Sequence, residues 1–193
     1  AVTFSGNSDM DPDLVWIKNR DQADSHAVYD SVRGTTKQLE TDSYPAESTE
    51  SEGLTTFGSD GFTVGSLAQV NTNTEDFVSW NWKEGATPGF DILTYAGNGS
   101  NRTISHNLSA VPKMIILKSY DNVYSWTVYH EVMGNTKIMK LDENEATTTN
   151  SGFWQDTTPT SSVFSVGTHG NVNNGSSNYI TYLWAEVEGF SRF

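Results

Sequence analysis

The chain has 193 residues and no cysteine, and its 24 acidic side chains outnumber 11 basic ones for a formal net charge of −13. That excess repels phosphate, so it argues against nucleic-acid binding and against adsorption to anionic membranes. The missing cysteine excludes a disulfide framework and a thiol nucleophile. No stretch approaches the apolar length of a membrane span. The opening Ala1-Val-Thr-Phe-Ser5 has neither the basic start nor the apolar centre of a signal peptide, and a start without Met is expected of a processed chain or a segment of a longer one. Aromatics make up 12% of the residues, enough for real cores, and the polar residues are mostly Ser, Thr, Asn and Gly. This composition suits strands joined by turns.

Taken in chain order, Val2–Ser5 is a short first strand. Asn7-Ser-Asp9-Met-Asp11-Pro-Asp13 sets oxygen ligands at alternate positions, as calcium loops do, which makes Asp9, Asp11 and Asp13 a candidate calcium site. The segment lacks the glycine at the sixth position and the distal glutamate of such loops, and Pro12 stiffens it, so a polar turn entering a strand competes with that reading. Leu14–Ile17 is a short apolar run between Pro12 and Lys18, the pattern of a strand buried on both faces. Ala27–Tyr29 is a further strand, and Thr41–Glu52 reads as a loop or short exposed helix. After the turn Gly58-Ser-Asp-Gly61, Phe77–Trp82 alternates, with Val78, Trp80 and Trp82 on one face and Phe77, Ser79 and Asn81 on the other.

Gly85-Ala-Thr-Pro-Gly89 is a turn-forming stretch without apolar period. It divides the chain into a first unit at 1–85, a linker at 86–89 and a second unit at 90–193. Ile92–Tyr95 and Thr103–Ser105 lead the second unit. Met114–Leu117, Trp126–Tyr129, Lys137–Leu141, Val163–Val166 and Tyr179–Trp184 follow as strands.

The two units align with each other. At a shift of 100, Pro12–Lys18 falls on Pro112–Lys118, Asp21 on Asp121, Val28-Tyr29 on Val128-Tyr129, and Gly34-Thr-Thr-Lys37 on Gly134-Asn-Thr-Lys137. At a shift of 102, Gly61–Gly65 meets Val163–Gly167 and Phe77–Glu84 meets Tyr179–Glu186. Such a long period fits whole domains better than solenoid turns. The expected fold is all-β: two tandem β-sandwich modules, jelly-roll-like, related by internal duplication. The leading strands of the first copy look shortened, with only Val2–Ser5 retained.

Little in the sequence carries catalytic chemistry. The histidines are His26, His106, His130 and His169, with no G-x-S-x-G elbow and no His-Glu-x-x-His. His130 aligns with Asp30, so the histidine is not a fixed part of the repeat. No short motif pairs two carboxylates as glycosidases require, and clusters such as Glu47–Glu52 and Asp142–Glu145 read as solvated loops. No catalytic residue is assigned, and the chain is read as a non-enzyme without cofactor, the calcium candidate apart. Exposed aromatics are the other means of contact, since their faces stack on sugar rings. Trp80, Trp82 and Trp184 read as core from their strand faces. Trp154, in Ser151-Gly-Phe-Trp-Gln-Asp156 and outside any strand alternation, is the candidate ligand contact. Asn98, Asn101, Asn107 and Asn174 head glycosylation sequons.

Tyr95-Ala-Gly-Asn-Gly-Ser100, Thr103–Leu108, Pro112–Lys118, Trp126–His130, Pro159–Gly167 and Trp184–Phe190 together resemble a repeated module of marine bacteriophage virion proteins, of the tail-fibre-like or appendage type found in cyanophages. Pro12–Asp21, Ser31-Val-Arg-Gly34 and Trp80–Gly85 resemble the sister module beside it. The resemblance implies a virion structural protein of the fibre, appendage or capsid-decoration kind, on the virion surface or otherwise extracellular. Its partners would be further copies of itself, other virion proteins and a host-surface glycan, with no nucleic acid and no membrane insertion. A glycan- or receptor-binding adhesion module and an extracellular filament subunit are the alternatives.

Overall fold

A computed structural model of the chain describes residues 1–6, 9–189 and 191–193. The chain is all-β, and its sheets are antiparallel throughout. The strands are β1 (Val2–Thr3), β2 (Leu14–Asn19), β3 (Ala27–Asp30), β4 (Lys37–Glu40), β5 (Ser48–Thr49), β6 (Leu54–Gly58), β7 (Gly61–Val64) and β8 (Phe77–Trp82), then β9 (Phe90–Ala96), β10 (Arg102–Ser105), β11 (Met114–Ser119), β12 (Thr127–His130), β13 (Lys137–Lys140), β14 (Thr148–Thr149), β15 (Val163–Val166) and β16 (Asn178–Trp184). Three four-residue helical turns interrupt them: α1 (Ala68–Asn71), α2 (Ser151–Trp154) and α3 (Gly170–Asn173). Among the described residues no helix is long and apolar enough to cross a membrane.

The chain divides into two compact units, residues 1–43 with 47–84 and residues 44–46 with 85–193. In the first unit a five-stranded sheet runs in the order β5-β4-β3-β2-β8, and a three-stranded sheet in the order β1-β7-β6. Val15, Ile17, Ala27 and Tyr29 from the larger sheet cluster with Leu54 and Phe62 from the smaller one and Val70 from α1. Burying these apolar side chains between layers is the main stabilising term, about 1.5–3 kcal/mol for each large residue. The arrangement is β-sandwich-like.

The second unit has a six-stranded sheet, β14-β13-β12-β11-β16-β9, and a two-stranded sheet, β10-β15. Its core joins Ile115, Leu117, Tyr129, Tyr179 and Leu183 from the large sheet to Ile104, Phe164 and Val166 from the small one. Strand for strand, β5-β4-β3-β2-β8 and β14-β13-β12-β11-β16 follow one order, with cross-strand pairs such as Trp16↔Trp80 and Ile116↔Tyr182 at matching places. The six-stranded sheet then adds β9 beyond β16, an outer strand that among the described residues has no counterpart beyond β8.

Several residues that recur between the units have the same local task. Asp21 accepts a hydrogen bond from the Asp76 N–H at 2.6 Å, and Asp121 accepts from the Asn178 N–H at 2.9 Å, so each carboxylate fixes the entry to the last strand of its unit. Lys18 donates to the carbonyl of Gln22 at 2.9 Å and Lys118 to those of Ser119 and Asn122 at 2.7 and 3.3 Å, tying down the turn that leaves the strand. Gly34 and Gly134 have φ of +94° and +80°, the left-handed region that side chains with a Cβ resist.

Candidate functional site

The face of the five-stranded sheet turned away from the Val15 and Ile17 cluster carries a cleft of about 210 Å³ lined by Trp16, His26, Trp80 and Trp82. Strand alternation produces it. Trp16 on β2 lies directly opposite Trp80 on β8, and Leu14 opposite Trp82, so the three indoles share the face turned away from Val15 and Ile17. The Trp16 and Trp80 rings meet edge to face at 6.1 Å with 68° between planes. Trp16 also meets the His26 ring at 5.9 Å and 70°, and its Nε1–H donates to His26 Nδ1 at 2.9 Å. Trp80 keeps 44% of its surface exposed, which leaves a large aromatic face open to a ligand.

His26 is held from both ends. Its backbone N–H donates to the Asp42 carboxylate at 3.0 Å, which sets the loop before β3. Burial pushes the imidazole below its ordinary range, Asp42 opposes that effect and Lys18 adds to it. With Nδ1 accepting from Trp16, the neutral ring carries its proton on Nε2. The cleft thus combines apolar faces with one polar donor ring, the mix that small-molecule sites use for affinity and orientation.

In the second unit, the residue one hundred positions after His26 is Trp126. Its ring stacks on Tyr182 at 6.4 Å and 20°, and only 1% of its surface is exposed. Tyr182 and Trp184 on β16, the counterparts of Trp80 and Trp82, are buried as well. The first unit has an imidazole where the second has an indole, and it has the open aromatic face.

The structure relocates the residues singled out from sequence. Trp154 is 2% exposed and sits in the core of the second unit with its ring edge-on to Tyr129 at 5.9 Å, so it presents no face to a ligand. The segment around it is a capped turn: Asn150 Oδ1 accepts the Gly152 N–H at 2.8 Å and starts α2, which turns Phe153 and Trp154 inward. The expectation of a loop contact at Trp154 is therefore corrected to a core role. Trp80 and Trp82 move the other way, from expected core to cleft lining. Alternation located their face correctly but did not say whether anything covers it.

The aspartates before β2 are directed to separate partners. Asp11 pairs with Lys83, while Asp13 accepts from Ser31 Oγ at 2.8 Å and from the Glu84 N–H at 2.7 Å. Asp9 is exposed, and Asn7 and Ser8 lie outside the described residues. Among the described residues no group of three or more His, Asp or Glu side chains is placed to hold a metal ion.

The other histidines have structural partners. His106 Nε2 is 3.1 Å from the Thr160 carbonyl, His130 Nδ1 accepts the Val132 N–H at 3.2 Å, and His169 Nδ1 accepts the Asn171 N–H at 3.2 Å to cap α3. The His169 ring also stacks on Phe153 at 4.0 Å.

These features define an all-β, β-sandwich-like protein of two similar units, with an aromatic cleft on one sheet face. The chain belongs to the DUF7483 family, a domain of unknown function, whose family model matches residues 3–193. No curated protein and no solved structure matches it.

Proposed function

We propose that the chain is a non-catalytic structural and adhesion module that holds a saccharide ring of a host surface in the cleft of Trp16, His26, Trp80 and Trp82. The observation that carries this reading is the half-exposed Trp80, set edge to face against Trp16 beside an imidazole whose free tautomeric position is a donor. An aromatic face packs against the apolar face of a sugar ring, and a nearby N–H bonds a hydroxyl. The engagement of His26 by Trp16, and of His106, His130 and His169 by backbone groups, supports a scaffold rather than a general base. The strong acidic excess supports a soluble, surface-displayed protein.

The sequence resemblance supports a module of a phage virion, in a fibre, appendage or capsid decoration, assembled with further copies of itself and with other virion proteins. Repetition there raises avidity, so a modest affinity at each cleft suffices. A glycan array probed with the wild-type chain and with Trp80→Ala tests the reading. Hits that disappear in the variant are expected; an array without hits, or hits indifferent to Trp80, would overturn it. Locating the chain in purified particles tests the virion assignment separately.

A further inference from the structure

The backbone edge of β8 differs from the edges of β6 and β9. The Arg20 N–H donates to the Asp76 carbonyl at 2.8 Å, one pair in the Trp16↔Trp80 register. Pairs that exchange both hydrogen bonds alternate along an antiparallel ladder, so Val78, Trp80 and Trp82 turn their backbone groups to β2, while Phe77, Ser79 and Asn81 turn theirs outward. Among the described residues no strand but β2 pairs with β8.

The second unit shows the same edge filled. There the Tyr120 N–H donates to the Asn178 carbonyl, and the even-numbered residues of β16 face β11. The odd-numbered residues Tyr179, Thr181 and Leu183 face β9, in register with Tyr95, Leu93 and Asp91. Ala185 extends this row by donating to the Gly89 carbonyl at 2.8 Å. Shifted by 102, those positions are Phe77, Ser79, Asn81 and Lys83.

Exposed edges are normally blunted by brevity, charge, proline or a bulge. Here β5 and β14 are two residues long, and β6 carries an irregularity between Leu54 and Thr56. The outer side of β9 is guarded by Arg102, which bonds the Ala96 carbonyl and lies 5.3 Å from the Tyr95 ring centre, and by Asp91, which accepts the Asn107 N–H at 2.7 Å. The sequence of β8, Phe-Val-Ser-Trp-Asn-Trp, has no charge, proline or glycine.

The geometry points to the β8 edge as a docking site for an extended polypeptide strand with the pattern of Phe90–Ala96, added antiparallel as β9 is added to β16. Its backbone exchanges hydrogen bonds with Phe77, Ser79 and Asn81. Its leucine and tyrosine fall opposite Ser79 and Phe77 on the core face, and its isoleucine and phenylalanine fall opposite Trp80 and Trp82. In the second unit the Phe90 ring lies 5.0 Å from Trp184. Strand addition of this kind takes affinity from the backbone and selectivity from alternate side chains. The inference stands on the backbone edge of Phe77, Ser79 and Asn81, and the isoleucine and phenylalanine of the added strand come up beside the Trp80 and Trp82 wall of the cleft.

The test is fluorescence anisotropy of a labelled peptide of residues 89–97 titrated with the full chain. Saturable binding is expected, weakened at least about tenfold by Ser79→Pro, which deletes one outward N–H and leaves the β2 ladder intact. Ser79→Thr, matching Thr181, is expected to bind as wild type. A peptide carrying Leu93→Pro gives the same loss with the protein unaltered, so misfolding of a variant does not confuse the result. No binding by the wild-type chain, or binding insensitive to both prolines, overturns the proposal. So does a dimer of the chain that Ser79→Pro dissociates, since a second copy then fills the edge.

Discussion

Trp16 and Trp80 stand directly opposite one another on β2 and β8, their rings edge to face at 6.1 Å, and one side of the pair is open to solvent. Cross-strand aromatic pairs contribute roughly 0.2–1 kcal/mol to a sheet, far less than the burial of a whole indole. The pair therefore does little for the fold that a smaller apolar pair would not do, and its size is better matched to holding something flat.

Trp80→Ala is expected to lose saccharide binding by at least about tenfold while lowering stability by only about 1 kcal/mol, because the side chain is half exposed. Trp154→Ala is expected to do the reverse: a loss of about 3–5 kcal/mol from the cavity left in the core, with binding by the folded fraction unchanged. Chemical denaturation paired with binding titration separates the two.

His26→Trp places in the first unit the residue that the second unit has at Trp126. The larger ring is expected to fill the cleft and abolish binding, while the chain stays folded. Retained affinity in a folded His26→Trp variant would show that the ligand site is elsewhere.

Acid should weaken both the cleft and the fold. The His26 imidazole is depressed from its ordinary value of 6.5 by burial, with Asp42 opposing and Lys18 reinforcing. His169 is depressed by burial, with Lys140 adding to it. Each ring accepts a hydrogen bond at Nδ1, which protonation removes. For a histidine whose folded value lies below its unfolded one, stability is complete above the unfolded value and declines as the pH falls toward the folded one. Denaturation midpoints are thus expected to fall below about pH 6.5, and His26→Gln should reduce the slope.

Arg33 is almost fully buried and pairs with Asp30 at 2.6 Å and Glu47 at 3.0 Å. The corresponding residues of the second unit are Met133 and His130, so the ion pair belongs to the first unit alone. Arg33→Met removes the guanidinium from a fully buried carboxylate and is expected to cost about 3–5 kcal/mol, measurable by urea denaturation.

The elements legible in the sequence were those set by short-range pattern. Pro-to-Lys runs became β2 and β11, and alternation at Phe77–Trp82 became β8. The shifts of 100 and 102 anticipated the matching strand orders, because the same short strands, with central ones buried on both faces, recur in both units. The shortened start of the first unit was legible too, as β1 pairing with β7 at Val2↔Phe62 where β10 pairs with β15. Lone loop residues were not legible. Trp154 lacked a strand pattern and so looked free, but the Asn150 cap turned it into the core.

By itself the sequence determined the β class, the strand faces and the acidic, cysteine-free surface, since these depend on residue type and spacing along the chain. Tertiary structure alone decided which of those faces are covered. Trp80 and Tyr182 occupy matching places on matching strands, yet one is half exposed and the other buried. The edge of β16 is filled by β9, while among the described residues no strand but β2 pairs with β8. The physical reason is that exposure is a property of what packs beside a strand, and that neighbour comes from residues distant in the chain.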